Sequence, residues 1–452
     1  MNIVIAGCGK IGRTIIGSLT SEGHSITAID TNARALEAVT NVYDIITVEG
    51  NAADTDTLSE ANIEKAELFI AVTGSDEINM LACHFAKKLG ASHTVPRIRT
   101  PEYNDNSLGL IKQFLDLEMS INPDLLAARE IHNMLKLPSA VNVETFSRRN
   151  FEIAEIRLKS DSLLVGMRLM DMRKKYPGQY LVGIVKRGEK VFIPDGTFVL
   201  DANDKIGITA SPQELIKLLR SLNVTQKQAR SVMIVGGGRT GYYLARMLIA
   251  GNTKVTIIER DLKRCRELSE ALRGVTIING DGADLDLLLE AGLENTDAFV
   301  TLTGMDEENI LLAYSASEKN IRKVVAKVNR DEFGPITEKM GLDSIISPKN
   351  IVADIFVGYA RALKNSLGSK VETLYKLMGG AAEALEFEAH EDPQYVRITL
   401  KNIKLKPNTL VAGIIRGRKT IIPMGDDCIL PGDKVVILSA GKKINDLAEI
   451  VR

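Results

Sequence analysis

The chain repeats itself, and that limits what it can fold into more than any other feature. Ile3-Val4-Ile5-Ala6 runs into Gly7-Cys8-Gly9-Lys10-Ile11-Gly12. Val232-Met233-Ile234-Val235 runs into Gly236-Gly237-Gly238-Arg239-Thr240-Gly241, an offset of 229 residues from Gly7 to Gly236. Asp30 and Glu259 keep that offset, and Gly50, Asp54, Asn79 and Arg97 meet Gly280, Asp284, Asn309 and Lys327 at 230. Ala71-Val72-Thr73-Gly74-Ser75-Asp76-Glu77 likewise answers Thr301-Leu302-Thr303-Gly304-Met305-Asp306-Glu307. Length alone would suggest about three domains. The duplication replaces that with two copies of one unit, each of two lobes.

In each half the first lobe alternates strand and helix. In half one, strands are expected at about 2–6, 25–29, 45–48, 67–73, 94–98 and 118–121, with helices at about 10–21, 32–40, 55–61 and 77–89. Short apolar runs such as Leu68-Phe69-Ile70-Ala71-Val72 suit strands covered on both faces. The expected class is α/β, a doubly wound parallel sheet, present twice. Pro123 opens an amphipathic helix that Pro138 closes, and its counterpart runs from about Lys349 to Lys364. The second lobe is smaller and strand-rich. Phe151–Leu158 alternates with period two, strands follow at Leu181–Lys186, Lys190–Pro194 and Lys205–Thr209, and a helix spans Pro212–Leu222. The polar stretch 223–230 reads as the linker between halves. The expected boundaries are 1–138, 139–228, 229–368 and 369–452.

Composition excludes several classes. Lys+Arg 57 against Asp+Glu 58 leaves a net charge of -1, unlike a globally basic nucleic-acid binder. No run of 18 or more residues is uniformly apolar, so no transmembrane helix is expected, and MNIVIAGCGKIG lacks the pattern of a signal peptide. Four scattered cysteines without a CxxC pair suit a reduced intracellular protein and exclude a common zinc site or disulfide scaffold.

One GxGxxG is a weak signal, but here both copies follow an apolar strand, open a helix, and have an acid 18 residues after the last glycine. Gly7 and Gly236 allow the turn, Gly9 and Gly238 admit a phosphate, and Gly12 and Gly241 let the helix pack close to the sheet. The helix N-terminus offers unpaired N–H groups and a positive dipole to an anion. Asp30 and Glu259 can accept from ribose hydroxyls, and a carboxylate there favours NAD or adenosine nucleotides over NADP. Cys8 is either a thiol activated at a helix N-terminus or a small residue that fits the loop. Lys10 and Arg239 either neutralise phosphate or sit on a solvated face. Thr73-Gly74 and Thr303-Gly304 end the fourth strands, beyond which such sheets bind ligands. Asp76 and Asp306 either cap the next helix or touch ligand. Arg97, inside the fifth strand, wants a partner, from phosphate or from carboxylates.

No catalytic set accompanies these residues. HExxH, GxSxG and GxxxxGK[ST] are absent, and no His is duplicated. An NAD-dependent oxidoreductase would need a positioned acid or base. A nucleotide-free scaffold with relic loops is the third possibility.

GCGKIG, Asp30, AVTGSDEINM (71–80) and PRIRTPEY (96–103) in the first half resemble the TrkA-type family of Trk potassium-uptake regulators, and more broadly RCK or KTN regulatory domains. GGGRTG, Glu259, GDGADL (280–285) and TLTGMDEENI (301–310) carry the likeness in the second. The small lobes resemble the RCK C-terminal subdomain. The resemblance implies two tandem Rossmann-like domains, each followed by a small α+β RCK C-terminal subdomain. It implies a cytoplasmic, non-enzymatic regulator, peripheral on the inner face of the cell membrane through a membrane potassium channel-like Trk subunit. It further implies a homotetrameric gating ring that binds NAD(H), ATP or ADP. The first site would use Gly7, Cys8, Gly9, Lys10, Ile11, Gly12, Asp30, Asn51, Thr73, Gly74 and Arg97. The second would use Gly236, Gly238, Arg239, Gly241, Glu259, Asp281, Thr303 and Lys327, differing where Lys327 replaces Arg and Asp281 replaces Asn51.

Overall fold

The computed structural model describes residues 1–103, 105–146, 151–224, 228–364, 371–392 and 394–452. Residues 225–227 of the expected linker, and the expected boundary at 368–369, lie outside the described residues. The chain divides into two compact units, each assembled from both halves. One is Met1–His132 with Arg230–Val357, and the other is Asn133–Ala229 with Gly358–Arg452.

The first unit contains two parallel sheets. The strands of its first lobe are β1 (Asn2–Ala6), β2 (Ser25–Asp30), β3 (Ile46–Glu49), β4 (Leu68–Ala71) and β5 (His93–Pro96), in the order β3-β2-β1-β4-β5. Helices α1 (Lys10–Ser21), α2 (Ala33–Thr40), α3 (Thr55–Glu60), α4 (Asp76–Lys88), α5 (Asp105–Leu115) and α6 (Pro123–Lys136) connect and follow them. Strand order reverses between β1 and β4, and the glycine loop follows β1 at that point, where open α/β sheets place ligands. Leu68, Phe69, Ile70 and Ala71 are wholly buried. Burial of each large apolar side chain contributes about 1.5–3 kcal/mol, which fixes β4 as a central strand.

The small lobe that follows in sequence has β6 (Asn142–Phe146), β7 (Phe151–Arg157), β8 (Tyr180–Arg187), β9 (Lys190–Phe192) and β10 (Lys205–Ala210), with α7 (Leu169–Lys175) and α8 (Pro212–Ser221). The second large lobe has β11 (Ser231–Val235), β12 (Lys254–Glu259), β13 (Thr276–Asn279), β14 (Ala298–Thr301), β15 (Lys323–Lys327) and β16 (Ile345–Ile346). Its helices are α9 (Arg239–Ala250), α10 (Leu262–Ala271), α11 (Leu285–Glu290), α12 (Asp306–Glu318), α13 (Gly334–Lys339) and α14 (Pro348–Lys364). Its sheet runs β13-β12-β11-β14-β15-β16, the first topology plus one strand. The last small lobe has β17 (Val371–Leu377), β18 (Ala382–Glu388), β19 (Thr409–Arg416), β20 (Lys419–Ile421) and β21 (Lys434–Ala440).

The sixth strand expected at 118–121 is reduced to a single pairing of Arg97 with Ile121. The difference between lobes comes down to one imino acid. In the second lobe Ala326 donates its N–H to Ser344 and Val328 donates to Ile346, which makes a two-residue strand. In the first lobe Ile98 still donates to Ile121, but Pro96 stands where Ala326 does and has no N–H to give. Sequence periodicity also missed β6, α5 and α7, which are short or interrupted by polar residues and glycine.

The small lobes make two antiparallel sheets, β6-β7-β10-β8-β9 and β17-β18-β21-β19-β20, that form the second unit. They share one apolar core, with Phe151, Ile153 and Ile184 from one half among Leu377, Ala384 and Leu438 of the other. Glu155 accepts from the backbone of Met378 at 2.8 Å, and the Tyr375 hydroxyl donates to Thr145 O at 3.0 Å. In each sheet an arginine grips a buried aspartate with two bonds, Arg187 to Asp204 and Arg416 to Asp433.

Candidate functional site

The glycine loops adopt the geometry that their spacing demands. Gly7 and Gly236 have φ of +101° and +104°, and a Cβ on Gly7 would stand 2.8 Å from the backbone of Val72 and Thr73. Gly12 is required for a nearer reason than packing against the sheet. Its Cβ would lie 1.8 Å from the carbonyl of Gly7, inside the loop itself, and Gly241 repeats the relation with Gly236 at 2.4 Å. Gly9 and Gly238 are different, because a Cβ there would meet nothing within 4 Å. These two glycines are the N-caps of α1 and α9, and neither offers a side-chain cap. Each helix thus starts beside open space and without a side-chain cap, and that fits a phosphate.

Asp30 and Glu259 are tied into their loops. Asp30 accepts the Cys8 N–H at 2.6 Å and the Asn32 N–H at 2.9 Å. Glu259 accepts the Gly237 N–H at 2.7 Å and the Asp261 N–H at 2.8 Å. Each carboxylate keeps lone pairs for a ribose hydroxyl. The carbonyl of the middle loop residue is satisfied differently in the two lobes. Arg13 Nε of α1 donates to Cys8 O, while Arg264 Nε of α10 donates to Gly237 O, both at 2.9 Å. Burial first, and the nearby Asp30 second, push the Cys8 thiol up to about 12, so the activated-thiol alternative is set aside.

Thr73 and Thr303 lie past the ends of β4 and β14, in the loops, rather than closing the strands. Each donates its N–H to the side chain of a fully buried asparagine, Asn79 at 2.8 Å and Asn309 at 2.9 Å. That asparagine in turn donates to Arg97 O or Lys327 O. Arg97 stands just beyond β5, not within it, and its guanidinium donates to Thr73 O. Lys327 Nζ donates to Leu302 O at 3.1 Å. Burial, with Arg99 beside it, holds Arg97 down at about 10. Burial also lowers Lys327, against the fields of Asp124 and Asp306. Among the described residues the buried Nε atoms of Arg97 and Arg99 have no hydrogen-bond partner, although Arg99 Nε stands 3.9 Å from Asp76 Oδ1. The Arg97 donor calls for an acceptor from outside.

Asp76 and Asp306 neither cap their helices nor line the cavity. Ser75 is the capping residue of α4, and Met305 holds that place in α12. Asp76 Oδ2 accepts the backbone N–H groups of Arg99 and Thr100, and Asp306 Oδ2 those of Asn329 and Arg330. Both aspartates clamp the loop after the fifth strand. Asn51 and Asp281 each accept an N–H two residues on, from Ala53 and Ala283.

A cavity of about 280 Å³ lies between the two lobes of this unit. Gly9, Lys10 and Ile11 of the first glycine loop wall one side, with Arg97, Arg99 and Asp124. Thr240, Lys327, Asn329 and Lys349 of the second lobe wall the other. Five cationic side chains meet one carboxylate there, so the cavity suits an anion. Of the residues singled out in sequence, it gathers Gly9, Lys10, Ile11, Arg97 and Lys327. Asp30, Asn51, Glu259 and Asp281 line the loops outside it.

The TrkA-N domain model matches residues 3–111 and 232–348, and the TrkA-C domain model matches 153–223 and 384–452. The chain belongs to the TrkA family. The Trk system potassium uptake protein TrkA homolog 1 of Methanosarcina mazei is 30% identical to it over 455 residues, covering 99% of each chain. The Trk system potassium uptake protein TrkA of Vibrio alginolyticus is 31% identical over 450 residues, covering 98% of this chain and 96% of its own. Among solved structures, the GsuK channel bound to NAD has a TM-score of 0.64 at 17% identity, over 97% of this chain and 77% of that one. That likeness is one of fold.

In this TrkA-family chain, sequence reasoning did not single out Arg99, Asp124, Thr240, Asn329 or Lys349 as site residues. Arg99 and Asp124 lie in stretches that the sequence marks, the PRIRTPEY motif and the first turn of the helix after Pro123. Thr240 lies inside the second glycine motif and Lys349 at the start of the expected second-lobe helix, but nothing in the sequence signals that they reach the first lobe's site, which depends on packing of the second lobe. Among the described residues, no group of three or more His, Cys, Asp or Glu is placed to hold a metal ion.

Proposed function

We propose that the chain is a nucleotide-sensing regulatory subunit of a Trk-type potassium uptake system and acts by binding, not catalysis. Its TrkA relatives are named for that system. Residues 1–138 and 229–368 would be the nucleotide lobes, and 139–228 and 369–452 the small RCK C-terminal subdomains.

Each lobe would hold an adenine nucleotide, NAD(H) or ATP/ADP, with its phosphates on the helix N-terminus behind Gly9 or Gly238. Asp30 or Glu259 would accept from the ribose, Asn51 or Asp281 would lie along the base side, and Arg97 or Lys327 would balance charge. Support comes from the open space over Gly9 and Gly238, and the GsuK channel of like fold is bound to NAD. The observation that carries most weight is the cationic cavity walled by the first glycine loop and by Thr240 of the second. A polyanion there touches both lobes at once, so its affinity depends on how the lobes pack. Such differential affinity is what shifts a population between two states. Among the described residues no helix is long and apolar enough to cross a membrane. The potassium pathway would then belong to a partner chain, with this chain seated on its inner face as a self-associated ring.

Calorimetric titration of the purified chain with NAD, NADH, ATP and ADP tests the binding. Saturable binding of at least one is expected, weakened about tenfold or more at one site by Asp30→Ala. No saturable binding of any of the four would overturn the proposal. Nucleotide-dependent rubidium flux in vesicles carrying a Trk membrane subunit, with and without this chain, tests the regulatory role.

A further inference from the structure

The helices that follow the two parallel sheets begin alike and then carry opposite charges. Pro123 opens α6 and Pro348 opens α14, and the next residues are Asp124 and Lys349. Both line the cavity between the large lobes, as do the matched pairs Ile11 and Thr240, and Arg97 and Lys327. The cavity therefore lies where equivalent parts of the two lobes meet. The Arg97–Lys327 exchange keeps its charge, whereas the Asp124–Lys349 exchange reverses it. That reversal makes the two ends of the cavity chemically different.

The first end is open and cationic. Gly9 and Lys10 of the first glycine loop line the cavity, while Gly238 and Arg239 are not among its lining residues. Arg97 is 7% exposed, and its Nε has no hydrogen-bond partner among the described residues. At about 280 Å³ the cavity falls short of the roughly 300–1,000 Å³ that encloses a drug-sized ligand. It takes a chain of phosphates and leaves the nucleoside outside. The second end already holds an anion. Asp124 Oδ1 accepts the Thr240 hydroxyl at 2.8 Å, and Thr240 is the second residue of α9, after the N-cap Gly238. A carboxylate of the first lobe thus stands at the helix start where a phosphate of the second site would bind. At α1 the arrangement is reversed, because Ile11 offers no hydroxyl and Lys349 takes the place of Asp124. Lys349 also pairs with Asp331 at 2.9 Å, so its charge is shared. Within the cavity the charge of Asp124 is offset, since its field reaches both Arg97 and Lys327.

On the nucleotide reading given above, we propose that Asp124 and Lys349 sort ligands between the two sites by phosphate charge. A nucleoside polyphosphate with a free terminal phosphate goes to the first glycine loop, where Lys10, Arg97, Lys327 and Lys349 line the space for its phosphate chain. The second loop takes a nucleotide whose phosphates are all esterified, as in a dinucleotide, because that ligand brings less charge against Asp124. Like charges a few ångströms apart repel strongly near a protein surface. Specificity of this kind comes from a repulsive group set against the wrong ligand as much as from attraction to the right one.

Calorimetric titration of the full chain in magnesium-free buffer, with ATP and NAD as probes, tests this. Wild type should bind one ATP per chain at least tenfold more tightly than any second, and the ATP-saturated chain should still bind one NAD. Asp124→Asn removes the charge but keeps an oxygen for the Thr240 hydroxyl, so the lobes stay joined. It should raise tight ATP binding to two per chain, and Glu259→Ala added to it should remove the gained site. Lys349→Met should weaken the first ATP at least threefold. Two equal ATP sites in wild type, no NAD bound beside ATP, a D124N chain that still binds one ATP, a gained site untouched by E259A, or an unchanged ATP affinity in K349M would each overturn the proposal and leave the nucleotide reading standing. Binding of neither ATP nor NAD by wild type would overturn both.

Discussion

The Thr240 hydroxyl donates a 2.8 Å hydrogen bond to Asp124 Oδ1. Thr240 belongs to the glycine-loop helix of the second lobe and Asp124 to the first turn of α6 in the first, so one bond links the two large lobes across the cavity. Tyr243, one turn on, adds a bond from Asn122 at 3.1 Å and donates to Arg99 O at 3.2 Å. Asp124 is also the one carboxylate among the residues that line the cavity, where it faces five cationic side chains.

This bond predicts measurable coupling between the two residues. A hydrogen bond to a charged group contributes about 1.5–3 kcal/mol, so a double-mutant cycle with Thr240→Val and Asp124→Ala should give a coupling energy of that order. Chemical unfolding of the four proteins measures it, and strictly additive effects would show that the bond does not hold the lobes together.

The two classes of glycine predict opposite outcomes. Gly12→Ala sets a methyl on the Gly7 carbonyl and should lower stability by about 1–3 kcal/mol as well as abolish binding at the first site. Gly9 has φ −69°, ordinary for alanine, and free space around it. Gly9→Ala should leave the melting temperature within a degree or two and weaken nucleotide titration alone. A melting temperature lowered as far as in G12A would mean that Gly9 is structural.

Asp433 is buried and receives two bonds from Arg416 and one from the Leu430 N–H. Removing Arg416 strands a buried carboxylate, but the arginine is partly exposed and water can replace some of its contact. Arg416→Met should therefore cost about 2 kcal/mol, below the range for a fully buried pair. Arg187→Met in the matching pair should behave alike. A loss under about 0.5 kcal/mol in both would class them as ordinary surface ion pairs.

Cys8, Cys83 and Cys265 are buried, and Cys428 is partly exposed. Burial raises the thiols of Cys8, Cys83 and Cys265. Iodoacetamide at pH 8 should modify Cys428 first in the native chain, with the other three labelled only after unfolding. Peptide mapping of a time course checks this, and early labelling of Cys8 would restore the reactive-thiol alternative.

Much of each lobe could be read locally. The β1–glycine loop–α1 and β11–glycine loop–α9 units follow from apolar runs and glycine spacing, since turn and helix start depend on a few neighbouring residues. Asp30 and Glu259 were legible for the same reason, as each closes the strand beside its loop. Asp76 and Asp306 were not, because their partners, Arg99–Thr100 and Asn329–Arg330, are more than twenty residues away. The failed sixth strand of the first lobe was written in Pro96, but its effect depends on which segment lies alongside, and periodicity does not say.

By itself the sequence determined that the chain is a duplication, that each copy begins with a parallel α/β lobe, and where each glycine loop and its acid stand. Only the tertiary structure decided that like lobes pair across the halves, both parallel sheets in one unit and both antiparallel sheets in the other. That pairing brings Asp124 to Thr240 and gathers Lys10, Arg97, Lys327 and Lys349 around one space. The physical reason is that local propensity acts over a few residues, while burial of faces and balance of charge act between segments more than a hundred residues apart.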